Sequence, residues 1–199
     1  LISIAVVLHE NGDDINVLVD GSLYQTLSCK IYSKRFSLPS NFPSQESFEQ
    51  YLEEKQLNAV RSWLARYLGM KNCPSHEVHA ILEKNHIDHL LAKRVIDEFI
   101  AKGYIDDNEW IRSFIRVQTQ KKRGPQEVRR KLMQKGFTDE QIAPFLQESE
   151  NVQFEQIRLL LETKFQKRNM NDFKEKNKTI AALQRRGFDL QTILEVINQ

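Results

Sequence analysis

Lys131-Leu132-Met133-Gln134-Lys135-Gly136-Phe137 is echoed by Ala182-Leu183-Gln184-Arg185-Arg186-Gly187-Phe188, with Gly136 and Gly187 51 positions apart. A weaker copy, Ile81-Leu82-Glu83-Lys84-Asn85-His86-Ile87, lies 50 positions before the middle one. A repeat at this period points to stacked supersecondary units rather than to one enclosed catalytic core. Each copy has a helical tail, a residue suited to the left-handed region, and an apolar residue that begins the next element. Gly is the usual stop residue of that kind. His86 stands in its place in the first copy, and His tolerates positive φ better than most residues.

Working outward, the punctuation around each copy marks helices. Gly103 closes a helix at about 88–102. Asp106 and Glu109 suit a capping box, with Ile105 and Trp110 as its apolar staple. Thr138 and Gln141 repeat that box, with Phe137 and Ile142 as staple, and Phe188-Asp189-Leu190-Gln191-Thr192-Ile193 repeats it in part. Pro74 and Pro125 sit where a first helical residue belongs, since that amide needs no intrahelical partner. Three units of three helices result, at about 57–69, 74–85 and 88–102; 107–121, 125–135 and 139–148; and 152–167, 173–186 and 190–198. Leu82, Leu132 and Leu183 are equivalent core positions. So are Ala92, Val95 and Ile96; Ile142, Phe145 and Leu146; and Ile193, Val196 and Ile197.

The start of the chain has a different period. Ile2, Ile4, Val6 and Leu8 alternate, Asn11-Gly12-Asp13-Asp14 is a turn, and Ile15, Val17 and Val19 form a second strand. Asp20-Gly21 suits a type I′ hairpin, which needs positive φ at both central residues. The strand pattern continues over Leu23 to Cys29 and Ile31 to Phe36, and Pro39 to Ser44 is a loop. The expected architecture is mainly α, with three tandem three-helix repeats in a curved elongated array and a small antiparallel β segment in front. The divisions are 1–44 for the β-rich extension, 45–105 for the first repeat with its lead-in helix, 106–150 for the second and 151–199 for the third.

Of 199 residues, 40% are hydrophobic and 28% charged, and the formal net charge is +2. That total hides alternating blocks. Residues 1–60 carry four basic and eight acidic side chains, and residues 109–136 carry nine basic and two acidic. Residues 137–157 carry five acids and no base, and residues 158–187 carry nine bases against three acids. Basic blocks can meet phosphate or an acidic protein face. The candidate contact residues are Arg112, Arg116, Lys121, Lys122, Arg123, Arg129, Arg130 and Lys131, converging around the loop at Gly124-Pro125. Lys164, Lys167, Arg168, Arg185 and Arg186, with Lys174, Lys176 and Lys178 nearby, make a second set.

Catalytic signatures are missing from the sequence. It has no GxxxxGK[ST], GxSxG or HExxH, and no nucleophile with a base beside it. Capping accounts for Asp106-Asp107. Cys73, His76, His79, His86 and His89 lie close in sequence, but a zinc site wants four converging ligands, usually in paired spacings, so no metal and no cofactor is expected. Cys29 and Cys73 give no disulfide framework, which suits a reducing cytoplasm. No apolar stretch approaches the length of a membrane span. Leu1 to Leu8 lacks the flanks of a signal peptide, and a first residue other than Met suits a start inside a longer protein. Nothing resembles a dimer seam, so a monomer is expected.

Several stretches resemble the RecX family of regulatory proteins. They are Gly103-Tyr104-Ile105-Asp106-Asp107, Phe114-Ile115, Lys122-Arg123-Gly124-Pro125-Gln126-Glu127-Val128-Arg129-Arg130-Lys131-Leu132 and Lys135-Gly136-Phe137. Leu64-Ala65-Arg66-Tyr67-Leu68, Ser75, Glu77, Val78 and Leu82 resemble its first repeat, and Arg185-Arg186-Gly187-Phe188 its last. The resemblance covers about residues 60–198, and its middle block is the specific part. It implies three three-helix repeats and a non-enzymatic modulator of the RecA recombinase. Such a protein binds the RecA filament on single-stranded DNA and limits its recombinase and coprotease activities, hence the SOS response and recombination. Weak direct binding to DNA is compatible with that role. The sequence departs from the family at Asn85-His86, at Tyr67, and in the extension over residues 1–55. The competing reading is a helical-repeat protein that binds DNA directly, without RecA.

Overall fold

Strand β1 (Ile2–Leu8) pairs antiparallel with β2 (Asp14–Val19), and β2 with β3 (Ser22–Ser28). Asp20 and Gly21 between β2 and β3 both have positive φ, 47° and 81°, as a type I′ turn requires. In this computed structural model residues 1–10 and 12–199 are described, without the side chains of 148–151, so Asn11 of the first expected turn lies outside the described residues. The chain forms two compact units, Leu1–Asp106 and Asp107–Gln199. It is mainly helical, with one small antiparallel sheet in the first unit.

In the first unit the strand expected over Ile31 to Phe36 is absent. Ser28 caps a single helical turn, α1 (Cys29–Tyr32), by accepting from the Lys30 amide. Ile31 and Tyr32 are consecutive and both buried, which a strand with period-two alternation cannot arrange on one face. The sheet is completed instead by β4 (Asn41–Phe42), inside the expected loop, and its order is β3-β2-β1-β4. The lead-in and first helices are one continuous helix, α2 (Gln45–Met70), begun by a Ser44–Ser47 capping box. Then come α3 (Ser75–Lys84) and α4 (His89–Ala101). Pro74 sits one position outside α3, as its cap. Ile4, Ile15, Val17 and Leu27 from the sheet share one core with Phe48, Leu52 and Leu64 of α2 and with Val78, Leu82, Val95 and Ile96. Two polar contacts fasten the sheet to that core. Ser28 Oγ donates to Asn85 Oδ1 at 3.0 Å, and Gln56 donates to Gln25 at 2.7 Å.

The second unit contains α5 (Asp107–Gln120), α6 (Pro125–Gln134), α7 (Asp139–Asn151), α8 (Gln153–Glu162), α9 (Phe173–Gln184) and α10 (Leu190–Ile197). Its apolar residues form two clusters. One is built on Ile111, Val128, Leu132 and Ile142, the other on Ile157, Leu183, Phe188 and Ile193. Helix α8 ends five residues earlier than the periodicity predicts. The Phe165 amide donates to the Leu160 carbonyl at 3.0 Å, and this turn buries the Phe165 ring. Lys164 and Lys167 therefore lie on a connection rather than on the expected helix.

The repeat is visible bond for bond. His86, Gly136 and Gly187 have φ of 62°, 94° and 86°. Their amides donate to the carbonyls of Glu83, Met133 and Gln184, and the amides of Ile87, Phe137 and Phe188 donate to those of Leu82, Leu132 and Leu183. This pair of bonds is the Schellman stop, and its apolar partners are the buried pairs Leu82–Ile87, Leu132–Phe137 and Leu183–Phe188. The next helices start as expected. Thr138 and Gln141 make a reciprocal capping box, at 2.9 and 3.4 Å. Asp88 accepts from the Leu90 and Leu91 amides of α4, and Asp189 from the Thr192 amide of α10.

Candidate functional site

Four of the nine bases of residues 109–136 line two clefts. Arg112 and Arg116, one turn apart on α5, line an open cleft of about 440 Å³ with Thr119, Gln120, Phe145 and Val152. Arg129 and Arg130 line a different cleft of about 370 Å³ beside Pro125, Met133 and Leu146.

Carboxylates sort them further. Arg130 donates to both oxygens of Glu127 at 2.9 Å, and Lys131 stands 3.8 Å from the same group. The Arg130 guanidinium holds the Glu127 carboxyl below the usual carboxylate range, opposed by partial burial. Lys131 also donates to Gln118 at 3.1 Å. Arg129 faces Asp139 at 3.4 Å, and Arg112 faces Glu109 at 3.6 Å while its guanidinium lies 4.9 Å from the centre of the Phe145 ring. Among the described residues Arg116, Lys121 and Lys122 make no ion pair. Arg123 is half-buried and acts on Glu127 through its charge. Arg112, by contrast, is held over an aromatic ring.

The second set divides in the same way. Arg168 lies 4.7 Å from the centre of the buried Phe165 ring and donates to the buried Thr179 hydroxyl at 3.1 Å. Arg186 donates to the Lys122 carbonyl at 3.3 Å, and its own carbonyl accepts from the Gly124 amide at 2.8 Å. Both arginines hold the fold together. Lys164, Lys167 and Arg185 are exposed. Lys176 and Lys178 are occupied by Asn198 and Glu175.

The Arg186 contacts belong to a backbone seam inside the second unit. Gly124 and Gly187 are both buried, and the Gln126 amide donates to the Gly187 carbonyl at 3.1 Å. A Cβ on Gly124 would fall 2.3 Å from the Gly187 carbonyl carbon and oxygen, and one on Gly187 would fall 2.3 Å from the Glu127 amide nitrogen. The seam joins the entrance of α6 to the turn before α10, so the basic loop is fixed by its glycines.

The cysteines are not activated. Burial pushes the thiols of Cys29 and Cys73 up, and Cys73 donates to Glu77 at 3.2 Å. The sequence, counting thiols and imidazoles, expects no metal. In the structure Cys73 and His86 are turned to other partners, with His86 facing Asp14 at 3.8 Å. His79 and His89 meet around Glu83, a residue the sequence reading did not weigh. Its i, i+4 spacing from His79 was the available signal. No helix among the described residues is long and apolar enough to cross a membrane.

Residues 151–197 match the family profile of the RecX third three-helix domain. No curated protein matches the chain by sequence. Two crystal structures share the fold. One, of regulatory protein RecX, superposes with a TM-score of 0.67 at 16% identity, covering 100% of both chains. The other, RecX from Lactobacillus salivarius, gives 0.61 at 20% identity over 71% of this chain and 94% of that one. Residues 151–197 are thus similar to the RecX third three-helix domain, and the fold is similar to that of these RecX crystal structures.

Proposed function

We propose that this protein is a cytoplasmic, monomeric, non-enzymatic regulator that binds RecA on single-stranded DNA and restrains its recombinase and coprotease activities. The observation that carries the reading is the RecX third domain at residues 151–197, set in a chain with the RecX fold. The division into 1–44, 45–105, 106–150 and 151–199 is part of the same proposal. Of the basic residues, Arg112, Arg116, Lys121, Lys122, Lys164, Lys167 and Arg185 are assigned to the partner. Arg123, Arg129, Arg130 and Lys131 serve it through their neighbours, and Arg168 and Arg186 act by fixing the scaffold. A surface whose charges are partly neutralised in place binds bare DNA weakly and selects a partner by shape and charge together.

Binding to labelled single-stranded DNA, with and without preassembled RecA, tests this reading. The proposal expects RecA to tighten binding well beyond the value for DNA alone. Equal, salt-steep binding to both would favour the direct DNA-binding alternative.

A further inference from the structure

A second site lies in the first unit. His79 and Glu83 are one turn apart on α3, and His89 is the first residue of α4. One Glu83 oxygen, Oε1, stands 3.4 Å from His79 Nδ1 and 3.5 Å from His89 Nδ1. Both separations are too long for a good hydrogen bond, which closes to roughly 2.7–3.2 Å. They do match the edge of a metal tetrahedron. Bonds of about 2.0–2.2 Å from zinc to imidazole and carboxylate put neighbouring ligand atoms about 3.3–3.5 Å apart. The ligand atoms of all three residues lie within 4.8 Å of one another. The remaining closure falls to His89, whose side chain is 64% exposed and free to turn. The nearby cation, Lys93, is already held by Asp97 at 2.5 Å.

We propose that His79, Glu83 and His89 bind a divalent cation of the zinc class. Two imidazoles and one carboxylate suit such an ion and leave a fourth position for water or for a ligand from a partner. The ion would tie α3 to α4 across the turn whose stop residue is the strained His86. It would therefore stiffen the first repeat without performing chemistry.

The test uses the full-length, untagged protein and Zn²⁺ alone, by calorimetric titration, followed by Co²⁺ absorption. Binding of one ion is expected, weakened roughly tenfold or more by His79→Ala and by Glu83→Gln, with unchanged helical circular dichroism. The Co²⁺ spectrum should show nitrogen and oxygen ligation without a thiolate charge-transfer band. Three results would overturn the proposal: no binding, binding that both variants leave intact, or a thiolate band placing the metal on Cys29 or Cys73. RecA assays do not enter this test, so its failure leaves the regulatory reading standing.

Discussion

Replacing Gly124 by alanine adds one methyl group at the seam inside the second unit. Gly124 has φ −73°, which alanine adopts without strain, so any cost comes from space alone. The new Cβ would meet the Gly187 carbonyl carbon and oxygen at 2.3 Å, where ordinary contact needs about a further ångström. Both partners are backbone and cannot rotate away. Opening the seam breaks the Gly124–Arg186 and Gln126–Gly187 hydrogen bonds, and each buried group left unpaired costs about 1–3 kcal/mol. A gain of about 0.4–1 kcal/mol from a stiffer unfolded chain offsets part of this. The net expectation is a loss of about 2–4 kcal/mol, or a fall of roughly 10 °C or more in the melting temperature of a unit this size. Gly103→Ala is the control. Gly103 has φ 72° and open space around its Cβ, so it carries only the left-handed penalty of about 1–2 kcal/mol, less the same offset. Gly187→Ala combines both costs and should be the worst of the three. Urea unfolding followed by circular dichroism ranks them. Gly124→Ala as stable as the parent, or no worse than Gly103→Ala, would refute the close-packed seam.

Other expectations follow from single contacts. Arg112→Glu with Arg116→Glu should abolish restraint of RecA while leaving helicity intact, and full restraint by that variant would remove the α5 cleft from the interface. Asp189 is held below the usual carboxylate range, chiefly by the Thr192 amide. Its stabilising contribution is therefore present above the ordinary Asp pKa and is lost as pH falls through the lowered folded value. Asp189→Asn should keep the cap and flatten that acid limb, whereas Asp189→Ala should cost about 1 kcal/mol near neutrality; unchanged acid unfolding in both would contradict the assignment. His86→Gly should stabilise the first unit by about 0.5–1 kcal/mol, because a non-glycine residue there carries the left-handed penalty. A loss of stability would show that the Asp14 contact outweighs that strain.

The repeat was legible because its stop has a fixed chemical grammar. A residue that tolerates positive φ must stand between two apolar residues five apart, and Leu82–Ile87, Leu132–Phe137 and Leu183–Phe188 meet that demand in sequence as in space. Capping at Thr138 and Asp189 was readable for the same reason. Elements decided by burial were not. Ile31 and Tyr32 read as strand until both had to enter one core, and Phe165 ends α8 by turning inward. Charge was legible as a total and not as an allocation. The sequence counts Arg130, Arg168 and Arg186 as free cations, yet Glu127, Thr179 and the Lys122 carbonyl occupy them. The role of Glu83 was not legible, because only the packing of α3 against α4 brings His89 to it.

The most direct test of the regulatory account is DNA-dependent ATP hydrolysis by RecA on single-stranded DNA, titrated with this protein far below the RecA concentration. The account predicts inhibition at those substoichiometric ratios, with little binding to bare DNA under the same salt. Unchanged hydrolysis, or inhibition that appears only once the protein is abundant enough to cover the DNA, would contradict it.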